Sequence, residues 1–392
     1  MTALIPTDAE DPQQLWEALR SALEGGPALG LGMVAGAPEN VAEGIAAVIA
    51  TSGSSGVPKR VALSGEALRA SAEATAARIG SGRWLLALPA GYVAGLQVLV
   101  RSLLAGTRPE SVEGRFSPLS FAEATRSLQR RTPGADLPDL YTSLVPAQVA
   151  TLLDAADDPA VLSALRAYRA ILVGGQSLPE PLRERAAAQG VHLVRTYGST
   201  ETSGGCVYDG VPLDTVAVRT VDGELRIAGP MLAEGYLGDG ELTARAFVRD
   251  ELGIRWYRTG DLGLVEDGVV RVHGRADNVI VSGGVNISLD WVERVVRRIP
   301  GLHEAVVIGV EDERWGEASV IVAARGEVLR RSESEQLAQA RDAVADEVGK
   351  HARPSRLIVV DELDVLASGK PDREAIRRAV AALHRAGRGL PE

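Results

Sequence analysis

Residues 45–63 constrain the fold most, because a loop of small polar residues separates two apolar runs there. The first run, residues 45–50, predicts a buried strand, and residues 60–63 predict a second one. Glycines let backbone N–H groups face a ligand, hydroxyls add donors, and a lysine adds charge. The loop is therefore suited to bind a polyphosphate, and its candidate ligands are Thr51, Ser52, Gly53, Ser54, Ser55, Gly56 and Lys59.

This loop differs from the Walker-type P-loop. That motif needs a glycine, four residues, and then Gly-Lys-Ser/Thr at the start of a helix. Here Gly53 and Gly56 are too close together, and a strand follows Lys59. A Ser/Gly-rich surface linker is the alternative. A linker is not expected between two strand-like runs, so phosphate binding is favoured.

The order of the predicted elements indicates an α/β fold. From residue 65 to residue 195 helices alternate with apolar strands, as in parallel α/β layers. Short strands with Asp-Gly turns follow from about residue 216, and a compact α+β pattern begins after Gly274. We expect a large N-terminal domain of layered sheets with helices, residues 1–275, and a small mobile α+β C-terminal domain, residues 276–392.

Charge and cysteine content exclude several classes of protein. With 42 basic and 52 acidic residues the formal charge is −10, which argues against nucleic acid or an anionic membrane as the main partner. Cys206 is the only cysteine, so no intramolecular disulfide can form. The first residues lack the pattern of a signal peptide, and the most apolar stretch, residues 85–100, is too short to span a bilayer. We expect a cytoplasmic protein without membrane insertion.

Four further stretches carry polar residues that a core or a plain turn would not need. They are residues 196–201, 257–261, 274–277 and 368–373. Each stretch alone is weak evidence for a functional site, since Gly-Asp pairs are mostly turns and an Arg-x-Asp is usually a surface ion pair. The first follows a predicted strand, where ligands bind in parallel sheets.

Together with the phosphate loop, these stretches resemble the adenylate-forming superfamily of acyl-CoA ligases, peptide-synthetase adenylation domains and luciferases. The resemblance covers residues 45–375 and implies an enzyme that uses ATP, Mg²⁺ and CoA. Beside the loop residues named above, the resemblance assigns to ATP binding Gly174, Gly175, Gln176, Tyr197, Gly198, Thr200, Asp261 and Arg275.

The resemblance also implies individual roles around the nucleotide. Tyr197 would stack on adenine and Thr200 would hold the α-phosphate. Glu201 would be the magnesium ligand. Asp261 would bind both ribose hydroxyls, assisted by Arg275.

Three motifs in the C-terminal part are implied to serve the two steps of the reaction. Lys370 would bridge the carboxylate and the α-phosphate while the acyl-adenylate forms. Asp277 would be the hinge on which the small domain turns, and Gly283-Gly284 would enter the site for thioester formation. Catalysis would thus rest on Lys370, Thr200 and Glu201, with no protein nucleophile.

The short chain, with only about forty residues before the phosphate loop, resembles the actinobacterial o-succinylbenzoate–CoA ligases of menaquinone biosynthesis. So do residues 88–102, 141–146 and 203–213. Ser203, Gly204 and Gly205 would then line the acyl pocket and leave room for an aromatic acid; the alternative is a flexible turn. Tyr92 stands where that family has a histidine in the pocket wall. Tyrosine keeps an aromatic body and a polar tip.

Other functions remain open at this level. The chain could be another acyl- or aryl-CoA ligase, a stand-alone adenylation enzyme, or a non-catalytic nucleotide-binding protein, although a binder has no use for Lys370. The expected partners are an aromatic carboxylic acid, ATP and CoA, and a homodimer is compatible with the resemblance.

Overall fold

The computed structural model describes residues 1–32, 38–51, 59–130, 139–312, 315–325, 332–366 and 371–387. In chain order its strands are β1 (Thr2–Pro6), β2 (Ala28–Leu31), β3 (Asn40–Val41), β4 (Ile45–Thr51), β5 (Lys59–Ser64), β6 (Arg83–Leu86), β7 (Glu110–Ser111), β8 (Leu140–Leu144), β9 (Tyr168–Val173), β10 (Leu193–Ser199), β11 (Gly204–Tyr208), β12 (Val211–Pro212), β13 (Ala217–Val221), β14 (Glu224–Ala228), β15 (Gly235–Tyr236), β16 (Phe247–Arg249), β17 (Arg255–Glu266), β18 (Val269–Arg275), β19 (Val279–Ser282), β20 (Val285–Ser288), β21 (Val306–Asp312), β22 (Gly316–Ala324) and β23 (Arg356–Val360).

The helices are α1 (Pro12–Leu23), α2 (Gly65–Ile79), α3 (Val93–Leu104), α4 (Pro118–Arg130), α5 (Pro146–Asp154), α6 (Pro159–Arg166), α7 (Glu180–Ala188), α8 (Gly240–Ala246), α9 (Leu289–Val296), α10 (Glu333–Glu347) and α11 (Arg373–Gly387). Short 3₁₀ turns cover Thr200–Thr202 and Lys350–Ala352. Within the described ranges, no helix combines the length and the apolar character that crossing a bilayer requires.

Two compact units make up the chain. The first holds residues 1–178, 182–259 and 265–271, and the second holds residues 179–181, 260–264 and 272–392. The mixed α/β fold expected from the sequence is confirmed. The assignment of residues 1–275 and 276–392 to two domains hinged at Asp277 stays a prediction.

Two sheets of the first unit carry the predicted nucleotide motifs. One has the order β15-β5-β4-β2-β1-β3, with β1, β2 and β4 parallel and β4 antiparallel to β5. The other has the order β12-β11-β10-β9-β8-β6-β7, in which the strands from β10 to β7 are parallel. A third sheet, β13-β14-β17-β16 with β18 on β17, corresponds to the predicted region of short strands.

Local signals determine several of these elements. Ser64 caps α2, because its Oγ accepts a hydrogen bond from Ala67 N at 3.2 Å. Helix α3 begins at Val93. Strand β10 continues to Ser199, because β11 pairs with it from Thr196 onward. The polar motif there is therefore partly strand.

The second unit has its own core around the sheet β20-β19-β22-β21, with β23 beside β22. Val307 and Ile321 belong to the cluster that packs with α9 and α10, while Val306, Ile308 and Val320 belong to the cluster that includes α11. Successive strand residues point to opposite faces. Both faces are therefore covered by helices, which explains the continuous apolar runs in β21 and β22.

Candidate active site

The ends of the predicted phosphate loop lie opposite each other. Thr51 ends β4 and Lys59 begins β5, and the two residues are paired in the antiparallel register. Thr51 Oγ1 donates to the Lys59 carbonyl at 3.4 Å. The other predicted ligands, Ser52, Gly53, Ser54, Ser55 and Gly56, lie outside the described residues.

The two predicted adenine segments come together at the carboxyl edge of the parallel sheet. Arg195 of β10 pairs with Val173 of β9, so Gly174 and Thr196 both follow the paired positions. A Cβ on Gly174 would lie 2.5 Å from Thr196 Oγ1, which shows how closely the chains approach. Gly174, Gly175 and Gln176 therefore lie at the same edge as Tyr197, in the position where ligands bind such sheets.

Gly198 is required by backbone packing. A Cβ at this position would lie 2.2 Å from the Gly204 carbonyl oxygen, on the antiparallel neighbour β11. Any side chain would push β11 away from β10. Thr200 then begins the 3₁₀ turn, and its carbonyl accepts from Ser203 N at 3.0 Å.

Glu201 is buried, with 8% of its surface exposed, and its contacts fix it in place. Its Oε1 accepts a hydrogen bond from the Tyr236 hydroxyl at 2.8 Å, and its carbonyl accepts from Ala233 N at 2.8 Å. Lys59 Nζ lies 5.7 Å from the centroid of the same Tyr236 ring. The structure thus brings Lys59 and Glu201, far apart in the sequence, to one tyrosine that sequence analysis did not identify.

The predicted acyl-pocket residues follow directly. Ser203 adopts a left-handed conformation with φ 51° and is fully buried; its hydroxyl donates to the Met231 carbonyl at 2.8 Å. Its carbonyl accepts from Ser71 Oγ at 3.0 Å. Ser203 therefore shapes the turn through its backbone and its buried hydroxyl.

Gly204 and Gly205 bring β11 against its neighbours. A Cβ on Gly204 would lie 3.4 Å from Gln97 Cγ and 3.9 Å from Val93 Cγ2, and one on Gly205 would lie 3.0 Å from Thr196 Cβ. Tyr92, directly before Val93, is 37% exposed at the start of α3. The first turns of α3 thus pack against Gly204.

Two buried polar residues of α3 were missed by sequence analysis. Gln97 Oε1 and Arg101 Nε are buried without a hydrogen-bond partner, counting the described residues. The two side chains are four residues apart and so share a helix face. Burial lowers the pKa of Arg101, an effect that nearby Tyr208 partly offsets. The available signal was a glutamine and an arginine at helical spacing in an otherwise apolar run.

Arg101 lies over an aromatic ring. Its Cζ is 5.0 Å from the centroid of the Trp84 ring, and the side chain is 7% exposed. In the part of the chain that the structure describes, no Asp or Glu forms an ion pair with it. A buried guanidinium without an anion is costly, so this position suits an anionic ligand.

The second unit brings together the predicted ribose and hinge residues. Arg275 Nη1 lies 3.4 Å from Asp261 Oδ1, and Arg275 donates to both carboxylate oxygens of Asp277, from Nε at 3.0 Å and Nη2 at 3.1 Å. The Arg275 backbone N donates to Asp290 Oδ2 at 2.7 Å. Asp277 thus lies in the turn between β18 and β19, where Arg275 binds its carboxylate.

Gly283 and Gly284 form the two-residue turn of the β19–β20 hairpin. Their φ values are 57° and 81°, and such a turn needs positive φ at both central positions. Gly283 N donates to the Trp315 carbonyl at 2.8 Å.

Lys370 lies outside the described residues, but the chain on both sides of it is described. Val365 forms an antiparallel bridge with Pro371, and Asp372 N donates to the Asp364 carbonyl at 2.8 Å. The described residues that flank the predicted catalytic lysine in the sequence are therefore paired with each other.

Comparison with known proteins agrees with these motifs. Residues 4–237 match the model of the AMP-binding enzyme family, and residues 291–370 match that of the AMP-binding enzyme C-terminal domain. The chain is 40% identical over 349 residues to a protein of Mycobacterium tuberculosis described as "Probable 2-succinylbenzoate–CoA ligase", covering 88% of this chain and 86% of that protein.

More distant similarities have the same character. A 2-succinylbenzoate–CoA ligase of Geobacillus kaustophilus is 30% identical over 403 residues, covering 93% of this chain and 77% of the relative. The crystallised o-succinylbenzoate CoA synthetase of Bacillus subtilis, in complex with its acyl-adenylate intermediate, has a TM-score of 0.70 and 27% identity over 85% of this chain and 69% of that chain.

Proposed function

This chain belongs to the AMP-binding enzyme family, and we propose that it is an ATP-dependent 2-succinylbenzoate–CoA ligase of menaquinone biosynthesis. The family-level resemblance that the motifs indicated is thereby confirmed. The proposed substrates are ATP, CoA and 2-succinylbenzoate, and the proposed location of the protein is the cytoplasm.

The observation that carries the choice of acid is buried Arg101. The acid 2-succinylbenzoate has two carboxylates, of which only one is activated, so the other must be bound as an anion. Arg101 offers a desolvated cation without a protein carboxylate partner among the described residues. It lies one helical turn from Gln97, whose Cγ a Cβ on Gly204 would approach to 3.4 Å. A monocarboxylic acid would leave this charge unpaired, which favours a dicarboxylic substrate.

The first step makes a poor electrophile reactive. A carboxylate oxygen of the acid attacks the α-phosphorus of ATP, and the bond to pyrophosphate breaks. Negative charge accumulates at the α-phosphate, where one well-placed electrostatic contact is typically worth ~3–4 kcal/mol of barrier. We assign that contact to Lys370, with Thr200 holding the α-phosphate and Lys59 the other phosphates.

Glu201 fits the requirements of a magnesium ligand. It is a carboxylate, the donor that Mg²⁺ prefers, and Oε2 has no hydrogen-bond partner in the described part of the chain. One or two protein carboxylates suffice, because phosphates and waters complete the coordination of the ion. When bound, Mg²⁺ neutralises phosphate charge. The task of Glu201 is to hold a fixed carboxylate beside the triphosphate.

In the second step the CoA thiol attacks the acyl carbonyl, the bond to AMP breaks, and the thiol proton leaves to solvent. The lysine wanted for the first step is then no longer needed. We propose that rotation at Asp277 removes Lys370 and brings in the Gly283-Gly284 turn, as in other hinge closures that assemble a site. The two-glycine hairpin turn and the exposed Asp277–Arg275 pair support this proposal.

Mass spectrometry of purified protein with ATP, Mg²⁺ and CoA tests the proposal. The acids offered are 2-succinylbenzoate, benzoate and a medium-chain fatty acid. We expect a CoA thioester from 2-succinylbenzoate alone. A thioester from another acid would point to a different acyl- or aryl-CoA ligase, and an adenylate that CoA does not consume would point to a stand-alone adenylation enzyme.

A further inference from the structure

Tyr236 contacts two groups that the proposed function assigns to the triphosphate. Its hydroxyl donates to Glu201 Oε1 at 2.8 Å, and its ring faces Lys59 Nζ at 5.7 Å from the centroid. A hydrogen bond to a carboxylate oxygen restricts the orientation of the whole carboxylate group. A cation within about 6 Å of an aromatic face is attracted to it. One side chain therefore restrains both the anion and the cation.

The backbone around Tyr236 is attached to the same two elements. Ala233 N donates to the Glu201 carbonyl at 2.8 Å, and Leu237 N donates to the Arg60 carbonyl at 2.7 Å. Tyr236 itself pairs with Val61 of β5. The segment 233–237 thus bridges the turn that carries Glu201 and the strand that begins at Lys59.

Packing leaves Tyr236 little freedom to move. It is 7% exposed, its ring lies 6.0 Å from that of Phe247, and its backbone N donates to Thr243 Oγ1 at 2.9 Å. A Cβ on Gly235 would lie 2.4 Å from Thr243 Cγ2, so only glycine lets the chain approach α8 this closely. These contacts within the protein hold the tyrosine side chain in place.

We propose that Tyr236 is a positioning residue for the triphosphate site: its hydroxyl aims Glu201 at the metal, and its ring holds Lys59 at the phosphates. This inference rests on the proposed function. It separates two roles within one side chain. The hydroxyl supports the metal-dependent part of ATP affinity, and the ring supports the metal-independent part.

Calorimetric ATP titrations in Mg²⁺ and in EDTA test this separation. The dissociation constant in EDTA divided by that in Mg²⁺, called the metal ratio below, measures how strongly the metal supports nucleotide binding. In Tyr236→Phe we expect this ratio to fall about tenfold, since a hydrogen-bond partner of a metal ligand is typically worth 10–100-fold in metal affinity. The dissociation constant in EDTA should stay unchanged. Tyr236→Leu, which also removes the ring, should weaken binding in EDTA as well.

The matched control is Tyr168→Phe. Tyr168 is a buried tyrosine of the same unit whose hydroxyl bonds to Thr125 Oγ1 at 2.7 Å, in the cluster around α4 and β9. It should lose a similar hydroxyl bond with no change in the ratio. Melting temperatures of both variants report whether any loss is general destabilisation.

Lys59→Met supplies an independent arm that does not alter the buried tyrosine. It should weaken ATP binding in EDTA and leave the metal ratio intact. The inference is overturned if Tyr236→Phe keeps the wild-type metal ratio, including the case in which this variant loses ATP affinity equally in Mg²⁺ and in EDTA. It is also overturned if Lys59→Met lowers the metal ratio to one. Neither the acid nor CoA enters these titrations, so a wrong acid would refute the proposed function and leave this result standing.

Discussion

Glu201 and Asp277 are two carboxylates with proposed roles in one reaction, yet their surroundings are opposite. Glu201 is 8% exposed and is held by a buried tyrosine hydroxyl and a backbone amide. The Asp277 side chain is 46% exposed, and so is that of its partner Arg275. One is fixed inside the first unit, and the other lies on the surface of the second.

The difference matches the role proposed for each position. Exposed ion pairs contribute about 0–1 kcal/mol, so the Asp277–Arg275 pair can be broken and reformed at little cost. Groups held in a buried network are expensive to displace. Glu201 is therefore held in one position, whereas Asp277 can exchange its partner at a small cost in free energy.

The largest expected effect tests the general contrast between a buried and an exposed carboxylate, with two deletions within the second unit. Buried Glu293 accepts hydrogen bonds from Arg297, Arg373 and the Val307 amide. Glu293→Ala should cost ~3–5 kcal/mol of unfolding free energy because it leaves buried charge unpaired. Asp277→Ala should cost less than about 1 kcal/mol. Urea unfolding of the full-length variants measures both, and equal losses would contradict the contrast.

The next largest effect concerns the two half-reactions. Lys370→Ala should slow acyl-adenylate formation by ~10²–10³-fold, the usual loss for one oriented transition-state contact. Thioester formation from supplied acyl-adenylate should continue at nearly the wild-type rate. Pyrophosphate release and thioester mass report the two steps separately. Equal loss of both steps would eliminate the hinged exchange at Asp277.

A third prediction concerns the buried cation of α3. Arg101→Met keeps the stem that packs near Trp84 and removes the charge. The KM for 2-succinylbenzoate should rise ~10–100-fold, because a hydrogen bond to a charged group contributes ~1.5–3 kcal/mol. The KM for ATP should not change. A variant with an unaltered KM for the acid would remove Arg101 from the acyl site.

The smallest effect is a pH dependence of stability. Burial raises the pKa of the Cys206 thiol from 9.0 to about 12, and its hydrogen bond with Thr202 partly opposes this. The unfolded thiol ionises from pH 9, whereas the folded one stays protonated. The contribution of Cys206 is therefore complete below pH 9 and falls towards pH 12, by ~1.4 kcal/mol per pH unit.

Urea unfolding at pH 8 and pH 10 measures that slope in the wild type and in Cys206→Ala. The variant should lose about one proton's worth of pH dependence, and the remainder should come from tyrosines such as Tyr141, whose pKa burial raises to about 12. Identical slopes in the two proteins would contradict burial of the thiol.

Local sequence determined most elements and most motif positions. The apolar runs of β4, β9 and β22 specify strands, Ser64 specifies the start of α2, and Gly283-Gly284 specifies a two-residue hairpin turn. These features depend on neighbouring residues, so they could be predicted. Pairing with β11 extends β10 through the polar motif to Ser199, and this depends on a second strand.

Tertiary structure alone decided which residues meet. Tyr236 is separated from Glu201 by 35 residues, so their contact depends on the fold. It reaches Glu201 and Lys59 because β15 adds to the edge of β5, a long-range pairing. In the sequence Arg101 is likewise a single charged residue of a helix, and only the packing of the fold shows that it is buried. The sequence thus determined which site residues the chain carries, while burial and strand pairing decided which other groups hold those residues in place.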